Sequence, residues 1–171
     1  MKKWMKRIAL FFLILLGVLV VAYGLFRYRV TFNSPQVPAS SYELQERIEH
    51  HANYYSIGNN WLMRDTSTGV WFTYFEGDAY DRGIVYGKLC KELMYEQEVY
   101  FVNEIKRQIP SPFYLNFLKY FIAWFNRDMD KHVPLEYQQE IYGESKVCSS
   151  EFDFVGPGYQ RMLNYHAAHD I

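Results

Sequence analysis

Two glycines, Gly83 and Gly87, stand four residues apart in a stretch that otherwise reads as helix. Each costs such a helix about 1 kcal/mol relative to alanine, so close packing is expected at both. Ahead of them, Gly69-Val70-Trp71-Phe72-Thr73-Tyr74-Phe75 is β-branched and aromatic and reads as a strand. Gly77 breaks the strand, Asp78 stands at the expected N-cap, and Asp81 adds a carboxylate near the positive end of the helix dipole. The pattern predicts one helix over 79–108, stopped by Pro110. On it, Gly83 and Gly87 share a stripe with Cys90, Met94, Phe101 and Ile105, while Tyr86, Leu89, Leu93 and Tyr100 make a second apolar face. Such a helix is built to be covered on both sides, and its glycine face admits another backbone.

The second constraint is the run 8–26, 19 residues without a charge, which as a helix is about 28 Å long and matches the ~30 Å hydrocarbon core of a bilayer. Lys2, Lys3, Lys6 and Arg7 precede it, and Arg27 and Arg29 follow. The positive-inside rule then places the N-terminus in the cytoplasm and the bulk of the chain outside it. The run exceeds a signal-peptide core, and Ala22-Tyr23-Gly24-Leu25-Phe26 is a poor cleavage site, so 1–29 reads as an uncleaved signal anchor. Secretion after signal cleavage is the alternative. No cysteine lies near the run to carry a lipoprotein anchor.

The overall charge of −1 conceals an asymmetry. Six of the 18 basic residues lie at or before Arg29 and all 19 acidic ones beyond it, leaving the body with 12 basic groups and a net of −7. That acidity argues against nucleic-acid binding.

Residues 30–41, with Pro35 and Pro38, read as a linker that lifts the body from the membrane. A helix is expected over 41–55, with His50 and His51 at its exposed end, where adjacent rings point about 100° apart and suit chelation badly. A turn and strand over 57–65 and the loop Asp65-Thr66-Ser67-Thr68-Gly69 then complete a short β-hairpin with the strand over 70–75. After Pro110 and Pro112 comes an aromatic helix to about residue 130. Its Phe113, Phe117, Tyr120, Phe121 and Trp124 face reads first as core, and otherwise as a lipid- or acyl-binding surface. Pro134 at the first helical position and Gly143 at the C-cap bound a third helix. A fourth starts near Tyr159 and carries Met162, His166 and His169 on one face.

Chemistry-bearing residues are sparse. Cys90 on the packed stripe reads as a buried small hydrophobe. Cys148 is expected in a polar, exposed loop where a nucleophile would lack an evident base, and a disulfide between the two is permitted but not required. His166 and His169 with Asp170 have helical metal-ligand spacing but want a third well-placed ligand. There is no phosphate-binding loop, Gly-x-Ser-x-Gly elbow, His-Glu-x-x-His or internal repeat.

Three segments, in order, resemble one family. Gly77-Asp78-Ala79-Tyr80-Asp81-Arg82-Gly83-Ile84-Val85-Tyr86-Gly87 is similar to its Gly-x-x-(aromatic)-(acidic)-x-Gly-x-x-x-Gly signature. Val133-Pro134 with Tyr137-Gln138-Gln139-Glu140-Ile141-Tyr142-Gly143 is similar to its (acidic)-Ile-x-Gly segment. Leu163-Asn164-Tyr165-His166-Ala167-Ala168-His169-Asp170 resembles the helix just before its nucleophile. The family is the penicillin acyltransferase-like (isopenicillin-N acyltransferase) cysteine N-terminal-nucleophile hydrolases, which cut their own chain and then act as acyltransferases or hydrolases at amide bonds.

The resemblance implies that 42–171 is the helix-rich part preceding autoproteolysis, truncated before the catalytic cysteine. The expected fold is mainly α with a short β-hairpin after an N-terminal transmembrane helix, as in the α part of a four-layer αββα fold. The freed cysteine, with its own α-amine as base, would belong to a β part encoded downstream, which would also complete the cover of the glycine helix. No residue here takes a catalytic, cofactor-binding or metal-binding role, and none of those groups is implied as a cofactor. Expected partners are the membrane through 8–26, the β part, and an acyl or lipid substrate walled by the Phe113–Trp124 face. The alternative is a membrane-anchored lipid- or protein-binding module without catalysis.

Overall fold

The glycine helix finds its partner within the chain. In the computed structural model, which describes residues 2–168, α2 (Ala79–Leu89) lies along α5 (Leu135–Glu144). Their backbones approach closely at Gly83 and Gly143. A Cβ on Gly143 would stand 2.7 Å from the Ile84 amide nitrogen and the Tyr80 carbonyl oxygen, and one on Gly83 would run into the Glu140 carbonyl. Gly87 is less tight, its absent Cβ facing the Glu144 carbonyl at 3.0 Å. Gly143 is thus a packing residue inside α5 and not a C-cap, and the expected downstream partner is not needed to cover this seam. Pro134 stands at the N-cap of α5, one position earlier than expected.

The opposite side of α2 is covered by a sheet, as two apolar faces require. Strands β1 (Ile48–His51), β2 (Tyr54–Ile57), β3 (Asn60–Arg64) and β4 (Trp71–Tyr74) form an antiparallel meander in the order β1-β2-β3-β4. Ile57 and Leu62 from its inner face pack with Val85, Leu89 and Cys90. The side chain of Asn60 accepts the Glu76 amide hydrogen (2.7 Å), which fixes the turn from sheet to helix beside Gly77 at φ 111°. Asp78 holds the N-cap position without a side-chain cap bond.

The predicted helix over 41–55 does not form. Ser40 caps only a 3-10 turn, Ser41–Glu43, and the chain then extends into β1 and β2. Asn53, at φ 66°, makes the tight turn, and the alternation Tyr55/Ile57 turns those residues to the core face. Tertiary pairing with β3 outweighs weak local helix propensity here. His50 and His51 therefore lie on a strand, with the His50 ring against the Ser56 hydroxyl (2.7 Å) and stacked on Tyr54.

The single helix expected over 79–108 is two. It breaks at Cys90, and α3 runs Lys91–Gln108. At the break the guanidinium of Arg47 reaches the Leu89 carbonyl (3.5 Å) and clamps the Glu92 carboxylate, and an inserted side chain of this kind is a known cause of a kink. The break turns Cys90 toward the sheet, so the glycines and Cys90 do not share one partner.

Helix α6 (Gly158–Ala168) packs on α5, with Tyr159, Met162 and Leu163 against Ile141. The same cluster takes in Phe32, just beyond α1 (Lys2–Val30). Val30 is buried and its carbonyl accepts from Gln160 (2.8 Å), while Gln139 donates to the Gln36 carbonyl (2.7 Å). Residues 30–41 are therefore docked on the body and do not hold it away from α1. Helix α1 is long and apolar enough to cross a membrane or to act as a signal. Helix α4 (Pro112–Phe125), capped by Ser111, has no buried residue, so its aromatic face is not core.

The glycine seam sets a direct test. Alanine at Gly83 or Gly143 is expected to destabilise by at least about 3 kcal/mol, because the clash is with backbone that cannot rotate away. Alanine at Gly156, whose Cβ would meet only Arg161 Cγ at 3.9 Å, is expected to cost under about 1 kcal/mol. Urea denaturation of the detergent-solubilised chain, followed by circular dichroism, measures all three.

Candidate functional site

A cleft of about 660 Å³ lies between α3 and the 147–150 segment, with Met162 also in its lining. Its walls include Met94, Glu98, Cys148 and Ser149. Behind them is Arg161, 2 % exposed, each of whose three guanidinium nitrogens donates a hydrogen bond. Nε donates to Glu98 (2.8 Å), Nη1 to Asp153 (2.8 Å) and the Gly156 carbonyl (2.7 Å), and Nη2 to the Ser149 carbonyl (2.8 Å). Tyr165 adds its hydroxyl to the same Glu98 oxygen (3.0 Å).

A buried guanidinium is stable only when its donors are met, and planar fork geometry lets one Arg meet a carboxylate and backbone carbonyls at once. Burial alone would loosen its proton, but the hydrogen bonds and charges of Asp153 and Glu98 outweigh that and raise its pKa. Burial, followed by the neighbouring Glu98 carboxylate, pushes the Tyr165 phenol upward. The cluster joins α3, α6 and the loop between α5 and α6 through charge-assisted bonds.

Cys148 faces this cleft as a thiol. Burial pushes it up to about 11, with Arg161 opposing and Glu98, Glu144 and Asp153 adding to the rise. Its Cβ lies against Gly158, where an added methyl would stand 3.2 Å away. A nucleophilic cysteine has its pKa lowered by a cation or base, and here the balance runs the other way. Cys90 is pushed further, to about 12, again chiefly by burial. Both cysteines are free.

His166 turns its Nε2 to the buried Glu144 carboxylate (3.1 Å). His169 and Asp170, which the sequence pairs with it as metal ligands, lie outside the described residues. Among the described residues no group of three or more His, Cys, Asp or Glu side chains is placed to hold a metal ion. The structure thus brings Cys148 to a cleft, takes His166 to a carboxylate, and leaves the Phe113–Trp124 face open.

Sequence reasoning missed Glu98 and Arg161. A signal was present: Glu98 stands between Met94 and Val102 at i±4, and Arg161 four residues before Tyr165, so each charge interrupts a buried stripe. What no local pattern gives is their pairing across 63 residues.

Removing one partner of this pair strands the other. Arg161→Met and Glu98→Leu are each expected to cost about 3–5 kcal/mol, and the double variant less than their sum, in a double-mutant cycle by urea denaturation. With its pKa raised to about 11 by burial, Cys148 carries much less thiolate at neutral pH than an ordinary thiol, so Ellman's reagent should react slowly until the chain unfolds. Faster modification than a free-cysteine standard would contradict the assignment. Comparison with protein-family models, with curated proteins and with solved structures gives no match.

Proposed function

We propose that this chain is the N-terminal, non-catalytic portion of a cysteine N-terminal-nucleophile acyltransferase or amidohydrolase, held to a membrane by α1, with its body on the extracytoplasmic side. The observation that carries this reading is the convergence of the three resembling segments. Gly83 of the first touches Gly143 of the second, and Leu163 of the third packs against Ile141 of the second. Segments far apart in sequence thus form one helical unit.

Two further features support it. Cys148 is a half-buried thiol, its pKa raised and no activating base beside it, so the nucleophile would come from the β part. The outer sheet face carries Met63, Phe72 and Tyr74 exposed, with Trp61 stacked on Tyr74, and a layered αββα fold would place a second sheet there. The substrate would be an amide-linked acyl group, and this portion alone would be inactive.

The chain, tagged at its N-terminus and purified from the membranes of its native cell, should bring with it a strand-rich polypeptide encoded downstream whose first residue is cysteine. The complex should hydrolyse acyl amides and lose that activity with iodoacetamide. Recovery of this chain alone, cooperatively folded and without such a companion, would sink the reading in favour of a binding module.

A further inference from the structure

Helix α4 carries a single charge, Lys119, in 14 residues, and its surface is aromatic. Phe117, Phe121 and Phe125 stack along one ridge, with centroids 6.1 and 4.4 Å apart, and all three are exposed. An apolar helix face left in water is disfavoured by roughly 25 cal/mol per Å², so something covers it. The neighbour of α4 says what. Phe26, the last residue of the uncharged run in α1, stacks on Trp124 at 6.1 Å and meets Tyr120 edge-on at 5.9 Å. These contacts fix α4 at the depth where α1 leaves the hydrocarbon.

We infer that α4 is a second membrane contact, lying in the bilayer interface beside the end of α1 with the Phe117–Phe121–Phe125 ridge among acyl chains. At about 21 Å it is too short to span, which takes about 20 residues, and it is suited to lie flat. Its edges have the composition of that zone. Tyr120 and Trp124 flank α1, Lys119 lies over the Tyr120 ring (5.0 Å), and Arg127 lies over Trp124 (4.5 Å). Arg27 and Arg29 of α1 add two cations at the same level, as at headgroups. A protein partner would have to cover the ridge while standing against a membrane-spanning helix, and the bilayer is already there. The inference rests on α1 spanning the membrane and is independent of the acyltransferase reading.

The test uses the full chain in vesicles of equal phosphatidylcholine and phosphatidylglycerol, with the photoreactive p-benzoyl-phenylalanine replacing Phe117, Phe121 or Phe72 in separate preparations. Phe72, on the outer sheet face, is 49 % exposed against 47 % for Phe121, so exposure alone cannot separate them. Irradiation should give lipid adducts from positions 117 and 121 and none from 72, read by intact mass. Brominated lipid should also quench more emission from the unmodified chain than from Trp124→Phe. Adducts to a polypeptide, including a second copy, equal lipid labelling at all three positions, no loss of quenching in Trp124→Phe, or release of the chain by alkaline carbonate would each overturn the inference.

Discussion

The approach of two backbones at Gly83 and Gly143 is the contact on which the rest of the body depends. Helices with ordinary side chains at the crossing stand 8–10 Å apart, and glycines allow a closer crossing. Drawing α5 against α2 sets where α6 and the segment after α1 can pack, because Ile141 of α5 is the floor for Phe32, Tyr159, Met162 and Leu163. On the far side of α2 the same closeness frees Val85 and Leu89 for the sheet. The helix propensity lost at Gly83, Gly87 and Gly143 is offset by burial on both sides of one short helix.

Arg161 plays the complementary part at the periphery. Residues 145–157 contain only short 3-10 turns and have few backbone partners of their own. The guanidinium supplies them by binding the Ser149 and Gly156 carbonyls together with Asp153. Its buried counter-charge, Glu98, comes from α3, so the loop is tied to a helix that touches the central seam only lightly. Cys148 is held in this frame, which accounts for a thiol that is protected rather than activated.

Much of this was legible in the residues. The strand at Trp71–Tyr74, the helix starts near Ala79, Pro112, Pro134 and Tyr159, and the two-sided burial of the glycine helix follow from local chemistry. The partner of the glycines did not, because a small-residue seam states that something comes close and not what. The sheet was half visible: β3 and β4 carried turn and β-branched signals, whereas β1 and β2 are short, polar at His50, His51 and Ser56, and form by pairing, β2 with β3 and β1 with β2. The aromatic periodicity of α4 suggests a core face, yet none of its residues is buried, and Tyr120 and Trp124 of that face meet α1; periodicity is silent on what covers an apolar stripe.

That last ambiguity is where α1 and the body meet. An aromatic helix in the middle of a water-soluble domain would be expected inside, yet α4 has no buried residue and its protein contacts include the end of the long apolar helix α1. The docking of Val30, Phe32 and Gln36 ties the end of α1 and the segment after it to the body. Were α1 to cross a bilayer, the packing at Phe26 and Val30 would set the orientation of the body to it. With α4 in the interface as inferred, the fold would then have two points of support on one surface, and two points restrict tilt in a way that one helix on a flexible linker cannot.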